Sequence, residues 1–344
     1  LTPPADTQTR SDARSDALAA ATGSAGLGPV VVMAFNRPDY LRETLLSLRA
    51  QEQVAKGLRE VHLFQDHGVN FISGERYATD EEIAASVATF QEVFPEGQVH
   101  LSEKNIGVAL NFDRAERYVF IERGFPSAMF FEDDMVLGPH YVETLQRMLD
   151  FAASPAAHGK VGYVAAYGNH RATLETQRAR QREIVEMGHA WGYAVNREHW
   201  LKVREVIDPY IQIVSECDYR KRPKSRIGGV HKSLGLATRA LSQDAMKTIA
   251  TAWLGRVRLM PFVCQASYVG ASGLNFTPEA YAKRGYGQEQ IFTDPLPDFD
   301  WPDEERLTAM NLAERKIYET NCTEAYGQRQ MPPPPVGTFK ASLY

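Results

Sequence analysis

The stretch Ala128-Met129-Phe130-Phe131-Glu132-Asp133-Asp134 sets four apolar residues directly before three carboxylates. A short apolar run of this kind is the pattern of a strand buried on both faces of a parallel sheet. Three adjacent charges cannot continue inside such a strand, so the acidic triplet marks its end. Two earlier segments have the same character, Pro29-Val30-Val31-Val32-Met33-Ala34 and Glu60-Val61-His62-Leu63-Phe64-Gln65. A helix is expected after the first, with Asn36 as its cap, Pro38 in its first turn and Leu41, Leu45 and Leu48 on one face. Residues 80–93 and 108–122 read as further helices, and 99–101 as a short strand. Strands alternating with helices predict an α/β fold: an open, mostly parallel, Rossmann-like sheet with helices on both faces. Ligands bind such sheets outside the carboxyl ends of the strands. Three of these ends carry polar groups, Asn36-Arg37, Asp66 and Glu132-Asp133-Asp134, which should converge on one crevice.

The second half is less regular. Residues 161–167 and 189–195 read as strands, the latter leading into a helix over 197–206. Ser242-Gln243-Asp244 has the look of a helix start, and 258–263 resumes an extended run. The basic run Arg220-Lys221-Arg222-Pro223-Lys224 is expected in a loop; solvated surface is its ordinary use, and contact with an anionic acceptor or lipid-linked diphosphate its secondary reading.

The formal net charge of -5 gives no reason to expect a nucleic-acid partner. Cys217, Cys264 and Cys322 are far apart and form no CxxC pair, which argues against a thiolate zinc site and suggests no disulfide framework. A reducing, cytoplasmic setting is expected, with the inner face of a membrane as a second location and peripheral association as the form it would take. No stretch approaches the roughly 20 apolar residues that span a bilayer. Residues 1–28 read as a flexible leader or linker without the order of a signal peptide, 29–280 as the catalytic domain, and 281–344 as an irregular C-terminal extension and tail, with four prolines over 332–335. The absence of an initiator Met suggests trimming or excision from a longer chain.

Carboxylates crowded at a half-buried crevice repel one another, and a divalent cation with a preference for hard oxygen ligands relieves that cost. Mn²⁺ or Mg²⁺ bridging a diphosphate is therefore the functional reading of the triplet, and helix capping the plain one. Asp66 could accept a hydrogen bond from a uracil ring N–H or make a local backbone bond. Arg37 could meet a phosphate or base, or point to solvent. Trp191 could be a sugar-stacking platform, although core packing is the better account of an isolated Trp-Gly pair. Asn169-His170 could contact sugar or metal, or be structural. Asp244 is explained by helix-dipole complementarity as readily as by general-base catalysis.

The segments Val30-Val31-Val32-Met33-Ala34-Phe35-Asn36-Arg37, Phe64-Gln65-Asp66-His67-Gly68, Phe130-Phe131-Glu132-Asp133-Asp134 and Gly188-His189-Ala190-Trp191-Gly192 resemble GT-A glycosyltransferases related to N-acetylglucosaminyltransferase I. The likeness is closer still to their bacterial relatives, grouped loosely with family 2, and covers about residues 29–278. It implies a nucleotide-sugar donor, a UDP-sugar, held by Phe35, Arg37, Asp66, Glu132, Asp133, Trp191, Gly273 and Leu274. Within the triplet, Glu132 would face the donor sugar, Asp133 the ribose and Asp134 the metal. Residues 270–275 match a loop that closes over the donor. Asp244 falls in the place of the catalytic base, with Glu216 and Asp218 as rivals in a longer intervening segment. The implied reaction is an inverting transfer to a hydroxyl of a glycan or lipid-linked glycan, in polysaccharide biosynthesis of a bacterial kind. Two other readings are a sugar nucleotidyltransferase and an inactive carbohydrate-binding relative. The first would carry a glycine-rich loop where this chain has Phe35-Asn36-Arg37-Pro38; intact acidic residues argue against the second.

Overall fold

The computed structural model describes residues 27–326 apart from 158, 237, 239 and 273–276. Ten strands are present among them: β1 Val30–Ala34, β2 Val61–Gln65, β3 Gln98–Leu101, β4 Ser127–Glu132, β5 Met135–Leu137, β6 Val161–Ala165, β7 Ile184–Glu186, β8 Tyr193–Asn196, β9 Val257–Pro261 and β10 Ala266–Tyr268. Eight form one sheet in the order β3-β2-β1-β4-β8-β6-β9-β7, and β5 pairs with β10 as a separate ribbon. Strands β3, β2, β1 and β4 run parallel, as do β6 and β9, whereas β8 is antiparallel to both β4 and β6 and β7 is antiparallel to β9. The expected open, mostly parallel α/β sheet is what the chain forms.

Strand alternation divides the core into two layers. Val30, Val32 and Ala34 of β1 face a cluster with Leu41, Leu45 and Leu48 of helix Pro38–Arg49, Phe90 of helix Asp80–Val93 and Leu145 of helix Tyr141–Ala153. Val31 and Met33 face the other, with Phe112 of helix Gly107–Arg117, Trp200 of helix Arg197–Ser215 and Met246 of helix Gln243–Trp253. Burying each of the Val, Leu, Met and Phe side chains among these stabilises the fold by roughly 1.5–3 kcal/mol.

Several local expectations change. Arg37, not Asn36, occupies the position before the first helix, and it makes no side-chain cap. The run over 189–195 is not one strand: residues 189 and 190 are irregular, Trp191 and Gly192 form a turn, Gly192 has φ +55°, and β8 starts only at Tyr193. A left-handed residue breaks the ladder that the apolar pattern would otherwise continue. The helix after β8 reaches Ser215 with Pro209 inside it, and the basic run forms a short 3₁₀ turn, Tyr219–Lys221, followed by helix Lys224–Ser233.

Helix Glu304–Tyr326 gives the C-terminal part regular structure. Its Leu307 and Met310 enter the core, Arg258 pairs with Glu314 at 2.7 Å, and the Asn311 side chain donates to the carbonyls of Ala252 and Arg256. Cys217 and Cys264 are free thiols. No helix among the described residues is long and apolar enough to cross a membrane. The leader and the proline run over 332–335 lie outside the described residues, apart from residues 27 and 28.

Candidate functional site

The carboxyl ends of β1, β2 and β4 put Arg37, Asp66 and the acidic triplet on the same rim of the sheet, as parallel pairing in register requires. Arg37 lies against the triplet. Its guanidinium pairs with Asp133 through Nη2, a contact reinforced by Nε at 3.4 Å, and reaches Asp134 Oδ2 at 2.8 Å. Asp133 and Asp134 are both 3% exposed, so this cation compensates charge that water cannot. Burial and the neighbouring Asp133 push the Asp134 carboxyl up to about 6, with Arg37 and the Tyr268 hydroxyl opposing.

Two features fit a hard dication beside Asp134. Its Oδ1 is buried and without a hydrogen-bond partner. At Gly270, a Cβ would stand 2.6 Å from Asp134 Oδ2 and 2.5 Å from the Tyr268 hydroxyl, so the missing side chain keeps the approach open. Among the described residues no three His, Cys, Asp or Glu groups are arranged to hold an ion by themselves. A Mg²⁺-like ion does not require that, because one or two carboxylates with substrate phosphates and water complete its shell.

Across the rim, Glu132 and Asp244 line one cleft together with Tyr163, Trp191, Tyr193 and Gln243. Asp244 stands in the first turn of helix Gln243–Trp253, with Ser242 in the position before it, as the sequence pattern predicts. Burial, followed by the charges of Asp134, Asp244 and Asp133, raises Glu132 to about 8. Sequence reasoning missed Lys247 in this cleft. It is buried, pairs with Glu116, and lies 3.3 Å from the Tyr193 hydroxyl. Glu116 also accepts from Tyr193 at 2.9 Å and from Trp200 Nε1 at 3.0 Å. The signal available was helical spacing, since Lys247 follows Asp244 by three residues and shares its face.

Asp66 has no free acceptor. Oδ1 takes the backbone N–H of His67 at 2.9 Å and of Ile106 at 3.0 Å; Oδ2 takes the N–H of Gly107 and Asn105 Nδ2, both at 2.9 Å. The geometry is that of the local-bond alternative, a carboxylate that ties the loop after β2 to the start of helix Gly107–Arg117. Burial raises its pKa in spite of these donors. Phe35 lies in the turn after β1, where its carbonyl accepts from Gln65 Nε2 at 2.6 Å.

Trp191 borders the cleft, and two rings stack on it: Tyr268 at 4.2 Å and 12°, His189 at 4.7 Å and 20°. These two stacks fit the core-packing alternative for Trp191. Asn169 and His170 are also structural; Asn169 Oδ1 accepts from the Arg171 N–H at 3.1 Å and His170 Nε2 lies 3.1 Å from the Arg284 carbonyl. Of the rival bases, Glu216 is exposed and pairs with Arg226 at 2.7 Å, while Asp218 accepts from Ser73, Tyr77 and the Arg220 N–H. Gly273 and Leu274 lie outside the described residues.

No family model matches the chain and no curated protein matches it. Among solved structures it is similar to GalNAc-T7 with UDP, GalNAc and Mn²⁺, at 11% identity and a TM-score of 0.43, over 71% of this chain and 44% of that one. It is also similar to S. aureus TarS 1–349, at 13% and 0.41, over 87% and 74%. A third is the glucosyl-3-phosphoglycerate synthase of Mycobacterium tuberculosis with Mn²⁺, UDP and glucosyl-3-phosphoglycerate, at 15% and 0.33, over 67% and 82%. The chain spans less than half the length of the first of these.

Proposed function

We propose that this chain is a metal-dependent glycosyltransferase of the GT-A type that moves a sugar from a UDP-sugar to a hydroxyl of a glycan or glycolipid, with inversion. The observation that carries the reading is the gathering of Glu132, Asp133, Asp134 and Asp244 around one rim and cleft, with a buried Asp134 oxygen left unpartnered. Asp134 would hold Mn²⁺ or Mg²⁺, whose charge, when bound, stabilises the leaving diphosphate.

The chain's own groups supply the rest. Asp244 takes the proton of the acceptor hydroxyl, and the freed oxygen attacks the anomeric carbon from the side opposite the diphosphate. The bond from that carbon to the diphosphate oxygen breaks, and the electron pair leaves with UDP. Glu132, whose carboxyl is raised by burial and by the neighbouring carboxylates, faces the donor sugar from the cleft. Arg37 holds Asp133 and Asp134 until the phosphates offer it an alternative partner. Phe35 and the loop fixed by Asp66 border the uracil.

The test is thermal denaturation with a panel of nucleotide sugars, with and without Mn²⁺, because a ligand stabilises the state that binds it. Stabilisation by UDP-sugars that depends on Mn²⁺ supports the reading; no shift with any of them removes it. NMR of the product then reports its anomeric configuration, and retention would take Asp244 out of its role.

A further inference from the structure

Residues 219–243 contain seven Lys or Arg and no Asp or Glu, in a chain whose net charge is -5. Interspersed acids normally offset such a run. Here the structure separates five of these cations, those over 220–226, into those with carboxylate partners and those without. Lys221 pairs with Glu75 and Arg226 with Glu216. Arg220, Arg222 and Lys224 have no carboxylate partner among the described residues. The one carboxylate inside the turn that carries them, Asp218, is taken up by Ser73, Tyr77 and the Arg220 N–H.

These cations are held in place rather than loose. The Arg220 guanidinium lies over the Tyr77 ring at 3.7 Å from its centroid, and that of Arg222 over Tyr219 at 3.8 Å. Stacking fixes a guanidinium plane and leaves its unpartnered N–H groups available in that plane, although Arg222 Nη1 already donates to the Tyr219 carbonyl. Arg222 Nε is buried with no hydrogen-bond partner. The turn itself sits beside the proposed base. The Tyr219 hydroxyl bonds to the Gln243 N–H, one residue before Asp244, and to Tyr210. The same tyrosine presses on Gly107, where a Cβ would stand 2.6 Å from it. That contact joins the turn to the helix start which Asp66 anchors.

We infer that Arg220, Arg222 and Lys224 form an anion subsite beside Asp244, and that the acceptor which brings its hydroxyl there carries a phosphate group. The inference rests on the glycosyltransferase reading for the word acceptor; the anion subsite stands on the cations themselves. A planar fork next to a point charge suits a phosphate with several free oxygens better than a neutral sugar.

The test is titration calorimetry of the whole chain with tripolyphosphate in Mn²⁺-free buffer at low salt. Binding is expected to weaken by about tenfold to a hundredfold in the triple variant R220Q/R222Q/K224Q and to persist in R37Q. It should also weaken as salt screens the charges. Circular dichroism of the triple variant checks that these changes leave the fold intact. Absent binding by the unmodified chain, or equal binding by the triple variant, overturns the subsite. Sedimentation with phosphatidylcholine vesicles only when they contain phosphatidylglycerol, with no uptake of tripolyphosphate, overturns it as well and makes the patch a membrane-facing surface. A chain that binds tripolyphosphate but not UDP with Mn²⁺ keeps the subsite and loses the donor reading.

Discussion

Trp191 and Tyr268 lie ring on ring, 4.2 Å between centroids and 12° from parallel. The contact joins the turn before β8 to the strand that ends beside Asp134, because the Tyr268 hydroxyl is bonded to that carboxylate. A packing contact and a polar one thus meet in a single side chain. Replacing Trp191 by Ala should destabilise the chain by about 2 kcal/mol, less than a fully buried tryptophan because the site is half-open. Urea denaturation measures the loss. Unchanged stability together with a specific loss of sugar binding would restore the platform role.

Gly270→Ala places a methyl group against Asp134 and Tyr268. The fold should persist, since the residue lies at the rim, while the Mn²⁺-dependent stabilisation by UDP shrinks or disappears. Differential scanning fluorimetry with and without both ligands gives the answer. Full retention of that stabilisation would mean the approach to Asp134 is not used.

Lys247→Met removes the cation from a buried pair and leaves the Glu116 charge uncompensated. The expected cost is about 3–5 kcal/mol. The double variant with Glu116→Gln should recover part of it, because the stranded charge is gone. Denaturant unfolding of the two variants distinguishes a charge penalty, which recovers, from lost packing, which does not.

His189 is held down to about 4 by burial and by the nearby charges of His170, Arg284 and Arg171. Between about 4 and the ordinary histidine value the unfolded chain binds more protons than the folded one, so this residue's contribution to stability rises with pH through that window and is lost as pH falls. In His189→Phe the acid limb of a stability profile should be shallower while the stack on Trp191 is kept. An unaltered limb would remove His189 as its origin.

Asp244→Asn should abolish turnover and leave Mn²⁺-dependent UDP binding within a few-fold of its original strength, read by calorimetry. A collapse of UDP affinity instead would make Asp244 a binding or structural residue.

The parts of this architecture that were legible in the sequence are those fixed by local pattern. The runs before Arg37, Asp66 and Glu132 are short, apolar and bounded, and all three are strands whose ends share a rim. Ser242 before Asp244 marks a helix start by ordinary preference. What could not be read depends on distance or on one backbone angle. Glu116 and Lys247 are 131 residues apart, so neither announces the other. The turn at Gly192 is hidden inside an apolar run, and so the faces of Trp191 could not be assigned until Tyr268 and His189 were placed. Asp66 sits at a strand end, as expected, yet its four donors include Asn105, Ile106 and Gly107 from the far side of another strand.

The pairing of β1 with β4 bears on how the molecule reaches its working state. Val30 pairs with Met129 across a longer stretch of chain than either pairing of β8, Ala128 with Val195 or Val164 with Ala194. Closing long separations is slow compared with forming helices or neighbouring pairs. The rim on which Arg37 meets the acidic triplet would then be among the last parts to assemble during refolding, and competence to bind donor would lag behind the return of secondary structure.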